Sequence, residues 1–141
     1  MSNSKTYGLT HLAIAVNDVK RTLIFYQQVF DMQTMYNQDG FIQLTTPGCN
    51  DILVFEEKKD SPIGATGGIA HFGFRLKDPA DIDEIVNRVI IAGGTIIDKG
   101  EFVVGEPYVF FKDLDGYDVE VWYELLKLTL TKNKSNNCMN D

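Results

Sequence analysis

One alternating stretch occurs twice in this chain of 141 residues, and it limits what the chain can become. The first copy is His11-Leu12-Ala13-Ile14-Ala15-Val16-Asn17-Asp18, and the second is His71-Phe72-Gly73-Phe74-Arg75-Leu76-Lys77-Asp78. Side chains along a strand alternate between two faces. Leu12, Ile14 and Val16 therefore make an apolar face, as do Phe72, Phe74 and Leu76. His11, Ala13 and Ala15 stand on the other side of the first copy, and His71, Gly73 and Arg75 on that of the second. Each copy opens on a histidine and closes on an aspartate. The chain has only two histidines, so both occupy equivalent places in a repeated pattern.

The segments after each copy repeat as well. Asn17 or Asp18 can cap a helix from about Val19 to Phe30, in which Leu23, Tyr26, Val29 and Phe30 recur at helical spacing. Strands are predicted over 31–36 and 41–45, joined by the turn Asn37-Gln38-Asp39-Gly40. Pro47-Gly48-Cys49-Asn50 is a further turn before a fourth strand over 51–57, and 58–69 is a connecting loop. In the second half, Asp78-Pro79 starts a helix over about 80–92 that Gly93-Gly94 ends. Strands follow over 95–98, 108–112 and 118–124, the last two joined by Asp113-Leu114-Asp115-Gly116. The fold expected is α+β: two βαβββ units, about 8–57 and 68–126, in one domain over 1–126. Residues 127–141 form a polar tail expected to fray. Helices on one face of such a sheet leave the other to curve over something or be covered.

Composition excludes some functions. A net charge of −7 with no basic patch argues against nucleic-acid binding. No apolar run reaches the length of a membrane span, and no signal-like stretch precedes the first strand, so a cytoplasmic protein is expected. Cys49 and Cys138 are too few for a disulfide framework and are expected to be free thiols.

The last strand supplies a carboxylate. In Asp118-Val119-Glu120-Val121-Trp122-Tyr123-Glu124, the residues Val119, Val121 and Tyr123 suit the helix-packed face. Glu120, Trp122 and Glu124 share the face of the two histidines. An inward acid in mid-strand is costly unless it is paired or ligates a metal. His11, His71 and Glu120 thus form a candidate two-histidine, one-carboxylate metal set with open coordination positions. The competing reading is of two ordinary core histidines.

These residues resemble the vicinal oxygen chelate superfamily, which includes glyoxalase I, extradiol dioxygenases, methylmalonyl-CoA epimerase and the fosfomycin and bleomycin resistance proteins. The resemblance covers about Leu9 to Glu124. It is carried by Leu9-Thr10-His11-Leu12-Ala13-Ile14, Phe25-Tyr26, His71-Phe72-Gly73-Phe74 and Phe111-Lys112-Asp113-Leu114-Asp115-Gly116-Tyr117-Asp118-Val119-Glu120. It implies a curved mixed sheet cupping one divalent ion (Zn, Ni, Mn or Fe) on His11, His71 and Glu120, with helices on the outer face. It also implies a small-molecule substrate that chelates the ion through neighbouring oxygens, often in a homodimer. Glyoxalase-like relatives place a fourth ligand in the fourth strand. Aligning Gly48 with Gly116 puts Ile52 opposite Glu120, and a one-residue slip offers Asp51, which also suits a turn. Extradiol enzymes use a further histidine and a tyrosine ten residues before the glutamate, where this chain has Phe110. Fosfomycin enzymes place basic residues after the glutamate, where this chain has Trp122, Tyr123 and Glu124.

Glyoxalase-like lyase or isomerase chemistry is therefore favoured over ring cleavage or non-catalytic binding of an antibiotic or other small molecule. Candidates for proton transfer are Glu56, Glu106, Tyr108 and Glu124, the acids being equally readable as solvated surface groups. Arg75 either holds a substrate carboxylate or pairs with Glu56 or Glu124. Phe110 and Trp122 are candidate pocket walls.

Overall fold

A computed structural model of the chain describes residues 3–125. The first unit runs β1 (His11–Val16), α1 (Val19–Phe30), β2 (Gln33–Gln38), β3 (Phe41–Thr45) and β4 (Ile52–Glu57). The second runs β5 (Phe72–Arg75), a 3-10 turn (Pro79–Asp81), α2 (Ile82–Ala92), β6 (Thr95–Glu101), β7 (Pro107–Lys112) and β8 (Asp118–Trp122). The α+β architecture of two βαβββ units is the expected one. The eight strands among the described residues form two separate four-stranded sheets, ordered β1-β4-β3-β2 and β5-β8-β7-β6. In each sheet the first and last strands of the unit pair in parallel, and the remaining pairs are antiparallel.

Local chemistry fixes the helix ends. Asp18 caps α1 by accepting from Lys20 N at 2.9 Å and Arg21 N at 3.2 Å. Asp31 ends it with φ of 53°, so β2 starts at Gln33 rather than at 31. The Asp78-Pro79 start of the second helix is a single 3-10 turn that leads into α2.

One core joins the two units. Phe25, Tyr26 and Val29 of α1 are buried together with Ile42, Leu44 and Phe55 of the first sheet and Val109, Phe111, Val119 and Val121 of the second. Phe30 stacks on Phe74 with ring centroids 3.8 Å apart. Phe25 also meets Phe111 at 6.2 Å. Helix α1 therefore serves both sheets, and the burial of its aromatics contributes on the order of a few kcal/mol each.

A polar clasp adds to this core. The turn between β7 and β8 reaches back to the first unit. The Asp115 carboxylate accepts from Asn17 N and Nδ2, both at 3.1 Å, and from Arg21 Nη2 at 3.0 Å. Tyr26 Oη donates to Asp113 at 2.8 Å, and Tyr117 Oη donates to the Ala15 carbonyl at 2.6 Å. Gly64 closes over the turn with φ of +80°, and a Cβ there would lie 2.4 Å from the Asp115 carbonyl oxygen.

Two expectations change. Cys49 is disulfide-bonded rather than free, and Cys138 lies outside the described residues, as does the tail over 127–141. A count of two cysteines does not reveal their oxidation state. The counterpart of Glu120 in the first unit is Val54, not Ile52. Ala13 pairs with Val54 as Gly73 pairs with Glu120. The turn before β4 is longer beyond its glycine than the turn before β8, which displaced the alignment on Gly48 and Gly116.

Candidate metal centre

Two of the three proposed ligands meet in the second unit. Gly73 of β5 lies opposite Glu120 of β8 across a parallel pair. His71, two residues before Gly73, is carried onto the same face. His71 Nε2 lies 3.1 Å from Glu120 Oε2, with the imidazole side chain 40% exposed and the carboxylate side chain 15% exposed. This contact is an ion pair only when the imidazole is protonated. Gly73 keeps the carboxylate close to β5. A Cβ there would stand 3.2 Å from the Glu120 carbonyl oxygen and 3.4 Å from its Cβ.

A cavity of about 330 Å³ opens over this pair, lined by His71, Gly73, Arg75, Glu120 and Trp122 among others. Phe110 meets the His71 ring edge-on at 5.1 Å and so steadies its orientation. Arg75 pairs with Glu124, one of the two partners expected for it. A smaller cavity of about 160 Å³, flanked by Ala13, Ala15, Ile69 and Tyr117, shares His71 as its wall. Nothing in the sequence pattern pointed to this second space, because the loop over 58–69 that lines it has no periodicity.

His11 opens β1 in the other sheet and is exposed. Among the described residues of a single chain, no group of three His, Cys, Asp or Glu side chains is placed to hold a metal. Asp51 is occupied elsewhere. Its carboxylate accepts from Thr46 N at 2.8 Å and from Thr46 Oγ1 at 2.6 Å, and so ties its own turn.

The candidates for proton transfer separate. Glu56 pairs with Lys58 at 3.0 Å, and Glu106 accepts from Leu125 N at 3.2 Å. Tyr108 donates to Asp98 at 2.9 Å, and this bond is the main reason its pKa lies above that of an ordinary tyrosine. None of these three lines the larger cavity. Glu124 stands at its edge through Arg75. Phe102 was not singled out in the sequence, yet it stacks on Tyr108 at 4.1 Å and meets Trp122 edge-on at 6.2 Å.

A strand–helix–three-strand unit used twice, with an imidazole and a carboxylate at the second unit's parallel pair, defines a class of fold and site. Residues 8–121 match the family model of the Glyoxalase/Bleomycin resistance protein/Dioxygenase superfamily, and the chain belongs to that superfamily. A catechol-2,3-dioxygenase of Bacillus subtilis is 26% identical over 134 residues, 91% of this chain. The chain spans only 46% of that relative's length. Among solved structures, the fosfomycin resistance protein FosX of Listeria monocytogenes superposes with a TM-score of 0.72 at 20% identity, covering 86% of this chain and 96% of that one. A complex of FosX with Mn(II) and sulfate superposes at 0.71 and 19% identity, covering 86% and 93%. Lactoylglutathione lyase of Agrobacterium tumefaciens superposes at 0.66 and 20% identity, covering 85% and 96%. At such identities these structures share a fold with this chain.

Proposed function

We propose that the protein is a divalent-metal-dependent enzyme that acts on a small molecule chelating the ion through two neighbouring oxygens, with glyoxalase-like lyase or isomerase chemistry. The observation that carries this reading is the His71–Glu120 contact of 3.1 Å on the floor of an open cavity. One imidazole nitrogen and one carboxylate suit zinc, manganese, nickel or iron, and leave coordination positions for substrate. The bound ion would act as a Lewis acid that polarises a substrate oxygen. His71 and Glu120 would hold it, and His11 of a second copy would complete the set. Support for the second copy is the placement of His11 on the first sheet, away from any three-residue cluster within one chain.

Arg75 would hold a substrate carboxylate at the cavity edge, with Glu124 as the group nearest to hand for moving a proton. Ring cleavage is the second reading, favoured by the relation to the catechol dioxygenase. Against it, Tyr108 keeps its proton against Asp98, and the chain has no third histidine.

Titration with Mn(II) tests the site. One ion per chain is expected, with loss of binding in His71→Ala, Glu120→Gln and His11→Ala. Mixing the His11→Ala and Glu120→Gln proteins should regenerate one site per mixed dimer, because one pairing then carries all three ligands. Sedimentation as a 15.9 kDa monomer with full Mn(II) binding would defeat the shared site. Binding unaffected by all three substitutions would defeat the metal reading.

A further inference from the structure

We propose that Glu124 is a specificity-determining residue: it holds Arg75 as an internal carboxylate, and a carboxylate of the ligand takes its place. The molecule selected chelates the ion through two neighbouring oxygens and carries a carboxylate at its far end. The inference rests on the metal-site reading and adds to it what frees Arg75 for the substrate. Arg75 stands two residues past Gly73 on β5, so its side chain leaves the face that carries His71. Gly73 pairs with Glu120 and Arg75 with Trp122, which sets Arg75 roughly 7 Å further along the strands than Glu120. Arg75 lines the cavity of about 330 Å³ and its side chain is 44% exposed, so a molecule in the cavity reaches it.

Glu124 approaches from the end of β8. Its neighbours are pinned on both sides: Tyr123 N donates to the Pro107 carbonyl at 3.0 Å, and Leu125 N donates to Glu106 at 3.2 Å. Its carboxylate accepts from Arg75 Nη2 and from no other group among the described residues. The other two arginines show what a structural pair looks like in this protein. Arg21 meets Asp115, a carboxylate 2% exposed that also accepts from Asn17. Arg88 is shared between Asp31 and Glu84. Arg75 has one partner, open to water and held through one nitrogen, which leaves most of its five donors for a ligand. Ion pairs open to water contribute little net stability, so exchange of one carboxylate for another is close to balanced. Chelation at the other end of the ligand raises its effective concentration at Arg75 and tips the exchange. The exchange leaves Glu124 unpaired at the cavity edge, where a group that moves a proton is needed.

Two probes isolate the carboxylate. Catechol chelates through its only two oxygens, and 3,4-dihydroxybenzoate keeps that pair and adds a carboxylate across the ring. Calorimetry on the Mn(II)-loaded protein without oxygen gives the ratio of their affinities. Glu124→Gln should raise the ratio in favour of 3,4-dihydroxybenzoate by roughly three- to fivefold, the release of one exposed ion pair. Arg75→Gln should lower it by about tenfold, and adding Glu124→Gln to Arg75→Gln should then change it by less than about twofold. A ratio unmoved or lowered by Glu124→Gln overturns the inference. An equal gain with and without Arg75 also overturns it, because that gain is plain charge repulsion. If Mn(II) binds as described and the ratio gives either result, this inference alone fails. If Mn(II) does not bind, the metal reading fails, and benzoate titrated into the metal-free protein decides the exchange. The Arg75 Nε–H resonance should then respond at lower benzoate concentration in Glu124→Gln than in the native protein, and an equal response, or none in either, overturns the inference.

Discussion

The two units share element order, strand order and the pairing of first and last strands, yet they present different chemistry at the same place. In the second, His71, Gly73 and Glu120 come together. In the first, the equivalent set is His11, Ala13 and Val54, and Val54 is 4% exposed. One unit holds two candidate ligands and the other holds one. The repeated strand pattern thus sets the scaffold twice, and single side chains decide which copy carries an imidazole beside a carboxylate. The turns diverge in the same way. Asp51 ties its own turn in the first unit, while Asp113 and Asp115 of the second reach across to α1.

The sharpest way to test this comparison is to change Glu120 and Val54 separately. Glu120→Gln should lower Mn(II) affinity by about a hundredfold or more, since direct ligands matter at least as much as the groups that orient them. In chelator-treated protein the same change should leave the melting temperature unchanged or raised, because a largely covered carboxylate is neutralised. Arg75 is engaged by Glu124, so no ion pair with arginine is lost. Val54→Ala should do the reverse. It should leave Mn(II) affinity within about twofold and cost roughly 1–2 kcal/mol for the apolar contacts removed. A drop in melting temperature for Glu120→Gln, with Mn(II) binding intact, would remove the distinction between the units.

Much of this was legible in the sequence because period-two alternation is a local property. The faces of β1, β5 and β8 follow from residue order alone, and so does the placing of His71 and Glu120 on one face. The counterpart of Glu120 falls at Val54 and not at Ile52 because register depends on turn length, and the two turns differ. The polar clasp escaped notice for a related reason. Asp113-Leu114-Asp115-Gly116 reads as a hairpin turn, and nothing local says that its carboxylates face another element. Whether a ligand set closes within one chain is likewise a matter of tertiary placement, and His11 lies on the other sheet.

The turns offer the next contrast. Asp115→Ala should destabilise the protein by about 2–4 kcal/mol, because its side chain is 2% exposed and it leaves the Asn17 amides and Arg21 without their acceptor. Half-exposed Arg21 keeps the effect below that of a fully buried pair. Asp51→Ala should cost about 1 kcal/mol, the loss of an exposed cap on a local turn. Urea unfolding of both variants measures the pair. Equal losses would mean that the reach of the second turn across to α1 contributes nothing beyond the turn itself.

The smallest expected effect concerns Asp113, the buried carboxyl within that clasp. Burial pushes its pKa above that of an ordinary aspartate, against the pull of hydrogen bonds from Tyr26 and from the Tyr117 and Asp115 backbone, with the Asp115 charge adding to the rise. A raised pKa in the folded state means that the native protein binds more of this proton than the unfolded chain does. The stability it contributes is full below the unfolded aspartate value and is lost as pH rises through the folded one. Asp113→Asn removes that titration. Its Oδ1 can still accept from the Asp115 and Tyr117 amides, each 3.0 Å away in the native turn. The variant should therefore be weakest relative to the native protein at acid pH, and should close the gap as pH rises from the ordinary aspartate range toward neutrality. Tyr26, whose own pKa is raised mainly by burial, titrates far above that window and does not intrude. Urea midpoints of the two proteins across that range give the sign directly. A gap that widens with rising pH would mean that the clasp favours the ionised carboxylate, and that its hydrogen bonds outweigh the burial.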